Sequence, residues 1–329
     1  MNNIRVGIVG VTGYGGQELL RLTARHPYIK VTAAMASSLS NITTTLPALT
    51  GIWSGEISGF SIEVLSNNSE AVFLALPDTV SATIVPQLLA QGIRVFDLSG
   101  AFRLRDATAK QHWYPETPEL RERIVYGLTE RRRVELKDAN FVSCPGCYPT
   151  AALLTLEPLA QAGLLSGDIF IDAKSGISGA GKAQTERTHF SECYGNISAY
   201  GIFAHRHSAE IEQELLRDVT FVPHLVPLNR GILETIYVSV NPGTTETIVS
   251  NVFNEAYRNE PFVRLRENVL PEIKHVTNTN FCDIGWQLDT KRNRLVLVTC
   301  LDNLIKGGAG QALQNFNVVY GFQEQEGLL

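Results

Sequence analysis

The chain has 329 residues, 44% of them hydrophobic and 19% charged, with a formal net charge of −5. That length suits two domains and a sizeable core, and the slight acidity excludes a general attraction to nucleic acid or to an anionic membrane. No apolar run approaches the ~20 residues of a membrane span, and five cysteines, an odd number, with no signal peptide point to a reducing cytoplasm.

Ile4-Arg5-Val6-Gly7-Ile8-Val9 has the pattern of a buried strand. It runs into Gly10-Val11-Thr12-Gly13-Tyr14-Gly15-Gly16 and then a helical stretch beginning at Gln17. Glycines at 10, 13 and 16 between a first strand and a first helix form a relative of the dinucleotide fingerprint: a tight turn, close backbone approach to a pyrophosphate, and an anion on the helix N-terminus. Gly10, Thr12, Gly13, Tyr14 and Gly15 are the expected cofactor contacts. A second strand, 30–35, ends in Ala36-Ser37-Ser38. A carboxylate there would bind the ribose of NAD and repel a 2′-phosphate; Ser37 and Ser38 remove that repulsion and favour NADP(H).

Further strands are expected at 71–76 and 92–98, with a helix at 80–89 between them. Alternating strands and helices imply a doubly wound parallel sheet of the Rossmann type. Leu76, Pro77 and Ser99-Gly100 fall at strand C-termini, where such sheets bind ligands. Arg103 follows at once, suited to gripping an anionic group bidentately. Arg131-Arg132-Arg133, bracketed by Glu130 and Glu135, reads as a solvated surface turn.

The most informative run is Val142-Ser143-Cys144-Pro145-Gly146-Cys147-Tyr148-Pro149-Thr150. Asn140 to Ser143 reads as the end of a buried strand, broken by Pro145 and Gly146. Apolar residues recur at helical spacing from Thr150 to Leu159, with Pro149 suited to the first helical position. Cys147 therefore stands at a helix N-terminus, where free N–H groups and the macrodipole favour a thiolate. A helix end supplies about 0.3–1 kcal/mol, at best ~2, so a cationic partner such as a histidine is also required. Cys144 and Cys147 form a C-x-x-C, but no second C-x-x-C exists and the other His and Cys residues lack ligand spacing, so no metal site is expected. Cys144 reads as a core residue.

Asp172 to Lys182, rich in Gly and Ser, reads as a loop able to wrap anionic groups. In Ala204-His205-Arg206-His207-Ser208-Ala209-Glu210, Ser208 reads as the helix N-cap. Glu210 stands three residues from His207, close enough to orient it as a base serving a nucleophile. Strands at 232–240 and 295–299, separated by a helix at 244–258, suggest a mixed sheet in an α+β second domain. A last helix at 309–319 is expected to pack back on the first domain.

Together these segments resemble the N-acetyl-γ-glutamyl-phosphate reductases of the aspartate-semialdehyde dehydrogenase superfamily. The resemblance is carried by Gly10 to Gly16, Ser99 to Leu104, Pro145 to Thr150, Ser175 to Lys182, His205 to His207 with Glu210, Pro223 to Leu225 with Arg230 to Thr235, and Asp302 to Gly307. It implies an NADP(H)-binding Rossmann domain over 1–146, completed by 302–329, and a catalytic and oligomerisation domain over 147–301. It also implies a cytoplasmic homo-oligomer, dimer or tetramer, acting on a small-molecule acyl phosphate. Carried over, Cys147 is the nucleophile, His207 the acid–base and Glu210 its orienting group. Arg103, Tyr200, His205 and Arg230 handle the substrate's phosphate and carboxylates, while Ser178, Gly179 and Asn303 approach the cofactor. Two departures stand out: Asp78 where relatives often have histidine, and Gly308 where alanine is usual. Aspartyl or aminoadipyl phosphates are the rival substrates, separated by pocket size. A non-catalytic NADP-binding redox regulator would need a DNA-binding motif or basic face, and the sequence has neither.

Overall fold

A computed structural model of the protein describes residues 3–36, 46–267 and 269–329; Ser37 and Ser38 lie outside them. The chain divides into two compact units, Met1–Pro145 with Gly308–Leu329, and Gly146–Gly307.

The first unit runs β1 (Ile4–Val9), α1 (Tyr14–Thr23), β2 (Ile29–Met35), β3 (Ile57–Ser58), α2 (Ile62–Asn68), β4 (Ala71–Leu74), α3 (Asp78–Ala90), β5 (Arg94–Asp97), α4 (Ala107–Trp113), β6 (Ile124–Tyr126), α5 (Thr129–Leu136) and β7 (Phe141–Ser143). Among the described residues the strands form one sheet in the order β3-β2-β1-β4-β5-β7-β6, every pair parallel. Parallel neighbours need long crossovers, and helices on both faces bury both sides of each central strand; β4 is accordingly buried at every residue. One face packs Val6, Ile8, Phe73 and Phe96 against Ala312, Leu313 and Phe316 of the last helix. The other packs Val72, Leu74 and Val95 against Val85 and Leu88 of α3.

The Gly310–Tyr320 helix groups with the first unit and brings buried amides with it. Gln311 Nε2 donates to Gly127 O (3.0 Å), Asn315 Nδ2 to the same carbonyl (2.8 Å), and Gln314 Nε2 to Glu130 Oε1 (2.9 Å). Each removes a desolvation cost that a buried amide would otherwise carry. Arg131-Arg132-Arg133 is not a surface turn. It lies within α5, where the buried Glu130 is held by Gln314 and Arg133 pairs with Glu324 at 2.6 Å.

The second unit runs α6 (Cys147–Gln161), β8 (Leu165–Gly176), α7 (Phe190–Cys193), β9 (Ser198–Ala199), α8 (Arg206–Leu215), β10 (Thr220–Val226), β11 (Ile232–Val240), α9 (Glu246–Tyr257), β12 (Val263–Leu265), β13 (Cys282–Asp289) and β14 (Arg294–Leu301); α10 is then the Gly310–Tyr320 helix. Its sheet has the order β12-β13-β14-β11-β8-β10-β9 and is mixed: β8–β10 and β12–β13 are parallel, the remaining pairs antiparallel. Along β8, Ile169, Ile171 and Ala173 are buried while Phe170, Asp172 and Lys174 are not, the alternation of a strand with one face packed. Helix α6 is buried from Tyr148 to Leu159.

Two expectations change here. Asp172 to Gly176 is not loop but the end of β8, and the Gly-rich composition reflects crowding: a Cβ on Gly176 would lie 2.7 Å from the Arg230 backbone. Asp302 to Gly307 belongs to the second unit rather than with α10, because Asn303 accepts from Gly231 N–H (2.7 Å) and donates to Ser178 Oγ (3.0 Å).

Candidate active site

In the first unit the glycine turn leaves one helix start open. Gly10 has φ +91°, and a Cβ there would sit 2.2 Å from Ala75 O; a Cβ on Gly16 would meet Gly10 O at 2.1 Å. Those two glycines are required by the protein's own packing. Gly13, the N-cap of α1, is not: the nearest atom to its Cβ position is Gly10 O at 3.5 Å. Helix α1 has no side-chain cap and no acid in its first turn, so its N–H groups and dipole face outward unneutralised. This cradle fits a dinucleotide pyrophosphate. Thr12 accepts from Gln17 Nε2 through its carbonyl (3.2 Å), and Tyr14, the first residue of α1, is exposed.

The strand ends beside it are knitted together. Pro77 is the N-cap of α3, after a buried Leu76. Asp78 accepts from Gly100 N–H at 2.6 Å, which gives this residue a structural task. Asp97 is fully buried and accepts from Ser81 Oγ, Ser99 N–H and Ser99 Oγ; burial pushes its carboxyl above the usual range. Arg103 is buried too, donating to Cys144 O (2.8 Å) and Leu98 O (2.7 Å), so it braces the ends of β5 and β7. Cys144 is core, its thiol pushed up to about 12 by burial.

In the second unit Cys147 is the first residue of α6, with Gly146 as N-cap. Pro149 is therefore the third helical residue, still within the turn whose N–H groups have no helical partner. Cys147 is partly exposed, unlike Cys144. A Cβ on Gly307 would lie 2.7 Å from Cys147 Cβ, so that glycine is what lets the chain pass Cys147. It sits in the π-turn Ile305–Ala309, an irregularity common at functional sites.

Helix α8 delivers the remaining groups. Its N-cap is His205 rather than Ser208: the His205 Nδ1 accepts from His207 N–H at 3.1 Å. That role demands a neutral ring, and burial with Arg206 nearby lowers His205 to about 4. Ser208 is instead the third residue of the helix. Glu210, 1% exposed, accepts from Gly146 N–H at 2.8 Å, pinning the start of α6 to α8. His207 is buried, its ring 4.7 Å from that of His205 and 5.8 Å from that of Tyr148, the neighbour of Cys147. Tyr200 meets Tyr148 hydroxyl to hydroxyl at 3.4 Å. Arg230 pairs with the buried Asp302 at 3.5 Å, and Ser178 and Gly179 share a corner with Asn303. Cys147, Tyr148, Tyr200, His205, His207 and Glu210 are thus gathered from three segments of one unit. Among the described residues no group of His, Cys, Asp and Glu is placed to hold a metal, and no helix is long and apolar enough to cross a membrane.

Known proteins match this arrangement along its length. Residues 5–139 match the family model for the NAD-binding domain of semialdehyde dehydrogenases, and residues 147–303 that for their dimerisation domain. An N-acetyl-gamma-glutamyl-phosphate reductase of Halothermothrix orenii is 42% identical, the match spanning 99% of this chain and 98% of that protein. The chain belongs to the N-acetyl-γ-glutamyl-phosphate reductase family. A family member from Bacillus cereus is 40% identical over the same shares of both chains. In fold, this reductase-family chain is similar to aspartate semialdehyde dehydrogenase II from Vibrio cholerae (TM-score 0.74, 17% identity, 98% and 99% of the two chains). It is also similar to aspartate semialdehyde dehydrogenase with NADP from Candida albicans (TM-score 0.68, 16% identity, 97% and 99%).

Sequence reasoning missed Gly307 as a contact of the nucleophile and Tyr148 as the link between Cys147 and the histidines. Both sit inside motifs already singled out, so the signal was present. What it lacked was distance.

Proposed function

We propose that the protein reduces N-acetyl-glutamyl 5-phosphate to N-acetyl-glutamate 5-semialdehyde and phosphate, with NADPH as reductant, in arginine biosynthesis. The observation that carries this reading is Cys147 at the start of α6, with the α8 residues His207 and Glu210 packed against the same turn. The Cys147 thiolate attacks the acyl carbon, the C–O bond to phosphate breaks, and phosphate leaves with the electron pair. The Cys147 backbone N–H at the helix start is suited to stabilise the oxyanion. NADPH, held at the Gly13 turn, would supply the hydride that converts the thioester to the aldehyde. His207 takes the thiol proton before attack and returns one as the hemithioacetal collapses. Glu210 acts through Gly146, fixing the turn on which the sulfur is carried, and orients His207. Arg103, Tyr200, His205 and Arg230 complete the substrate's surroundings, and Ser178, Gly179 and Asn303 those of the cofactor.

NADP rather than NAD is favoured by the sequence Ala36-Ser37-Ser38, which carries no carboxylate to repel a 2′-phosphate. The active form is a cytoplasmic homo-oligomer, dimer or tetramer. The match of residues 147–303 to a dimerisation domain supports assembly, as does the outward sheet face where Phe170 and Tyr237 are 48% and 45% exposed. Five free thiols suit a reducing compartment.

Phosphate-dependent oxidation of N-acetyl-glutamate semialdehyde, followed by NADPH formation, tests the reading. Cys147→Ser is expected to abolish both turnover and the acyl-enzyme seen by intact-mass spectrometry. His207→Asn is expected to slow turnover by roughly 10²–10⁴-fold with ligand binding retained. Full activity in either variant would reject the assignment.

A further inference from the structure

The second unit holds a cavity of about 570 Å³ whose wall includes Thr185, Arg187, Thr188, Tyr200, His205 and Arg206. Arg187 and Arg206 line it together with one carboxylate, that of Glu186. Arg187 is held in place by its own turn. It is the middle residue of the 3-10 turn Glu186–Thr188, closed at both ends by a capping box in which Thr185 Oγ1 accepts from Thr188 N–H (3.3 Å) and Thr188 Oγ1 from Thr185 N–H (3.0 Å). The Arg187 guanidinium lies 5.6 Å from the centre of the Tyr200 ring. Among the described residues no carboxylate is paired with it. Tyr200 in turn meets Tyr148, the residue after Cys147. The Tyr148 and Tyr200 side chains together therefore lead from the turn that carries Cys147 to an exposed guanidinium with no carboxylate partner.

We infer that Arg187 reads the α-carboxylate of the substrate, with Arg206 adding positive charge to the same wall. The inference rests on the reductase reading given above and adds to it a residue for the α-carboxylate beyond Arg103, Tyr200, His205 and Arg230. A planar guanidinium held over an aromatic ring offers a two-pronged donor to a carboxylate. With the acyl carbon at Cys147, the α-carboxylate of a glutamyl chain extends away from the sulfur by its methylene spacer, along Tyr200 toward Arg187. A chain one methylene shorter brings the carboxylate up short, so Arg187 also measures length.

The test needs no turnover. Alkylation of Cys147 by iodoacetamide is timed in the presence of N-acetyl-glutamate or of 4-acetamidobutyrate, the same molecule without the α-carboxylate. In the wild type N-acetyl-glutamate protects and 4-acetamidobutyrate does not. Arg187→Gln raises the half-protecting concentration of N-acetyl-glutamate by about 10–100-fold, the range expected for a lost charged hydrogen bond, and Arg187→Lys recovers part of it. Equal protection by the two acids in the wild type, or an equal loss for both in Arg187→Gln, overturns the assignment. Phosphate-dependent oxidation of the semialdehyde is measured alongside. Its absence with selective protection intact removes the reductase reading and leaves the carboxylate site; selective protection absent with turnover intact removes the carboxylate site alone.

Discussion

Helices α1 and α6 both follow a glycine N-cap, Gly13 and Gly146, with no side-chain cap and no acid in the first turn. Around α1 the space at the cap is open, the nearest atom to a Gly13 Cβ being 3.5 Å away. Around α6 it is crowded: Glu210 takes the Gly146 N–H at 2.8 Å, and Gly307 leaves room for nothing larger beside Cys147 Cβ. The same electrostatic device is open to a visiting anion in one unit and carries a cysteine of the chain in the other. A start that receives a ligand has to stay undressed, whereas a start that carries its own nucleophile gains from being fixed on every side.

The largest expected effect comes from adding one methyl group to the crowded start. Gly307→Ala places a Cβ 2.7 Å from Cys147 Cβ and should lower both kcat and the iodoacetamide reaction rate by about 10–10²-fold, since small misplacements of reacting groups cost that much. An unchanged alkylation rate would break the comparison at its α6 side. The α1 turn separates into two glycines with opposite signatures. Gly16→Ala meets Gly10 O at 2.1 Å and should cost about 2 kcal/mol or more in thermal or denaturant unfolding, as forced backbone shifts do. Gly13→Ala should leave the melting temperature alone and weaken NADPH binding, by about 10-fold in a fluorescence titration. If Gly13→Ala destabilises the fold and spares the affinity, the open start is not a ligand site.

A smaller effect concerns a group that neither start uses. Glu234 of β11 is fully buried, neither carboxylate oxygen has a hydrogen-bond partner, and burial raises its carboxyl well above the usual range despite Lys174. The folded state keeps a proton that the unfolded chain releases above pH ~4.3. Stability therefore falls as pH rises from there until the folded carboxyl itself ionises. Glu234→Leu should raise stability at pH 8 by about 1–3 kcal/mol, the cost of a buried unsatisfied group, and flatten the decline between pH 5 and 9 in urea titrations. An unchanged slope would show that Glu234 finds water or a partner in solution.

Much of this was readable before any coordinates. Strand 4–9, the glycine turn, the broken strand before Cys147 and strand 232–240 follow from local pattern, because apolar runs and Pro-Gly breaks constrain a few neighbouring residues. Ser208 as N-cap failed since His205, three residues earlier, accepts the His207 N–H and starts the helix there once its ring is buried and neutral, and burial is not a local property. Asp172 to Gly176 failed for the opposite reason: Gly176 answers to the backbone of the bend at Arg230, 2.7 Å from where its Cβ would be, which composition records as flexibility. Arg131 to Arg133 misled because their partners, Glu324 among them, come from the far end of the chain.

What the sequence by itself determined is the set of parts: a parallel-sheet unit opening on a glycine turn, a cysteine at a helix start, and a His-Arg-His segment ahead of a carboxylate. Each is written in residues that lie next to one another and so obey short-range sterics and hydrogen bonding. The tertiary structure alone decided which parts meet. Glu210 reaches Gly146 across 64 positions, Gly307 slips past Cys147, and Tyr200 stands between Tyr148 and Arg187, because packing a buried helix against a mixed sheet leaves few ways to satisfy every polar group at once.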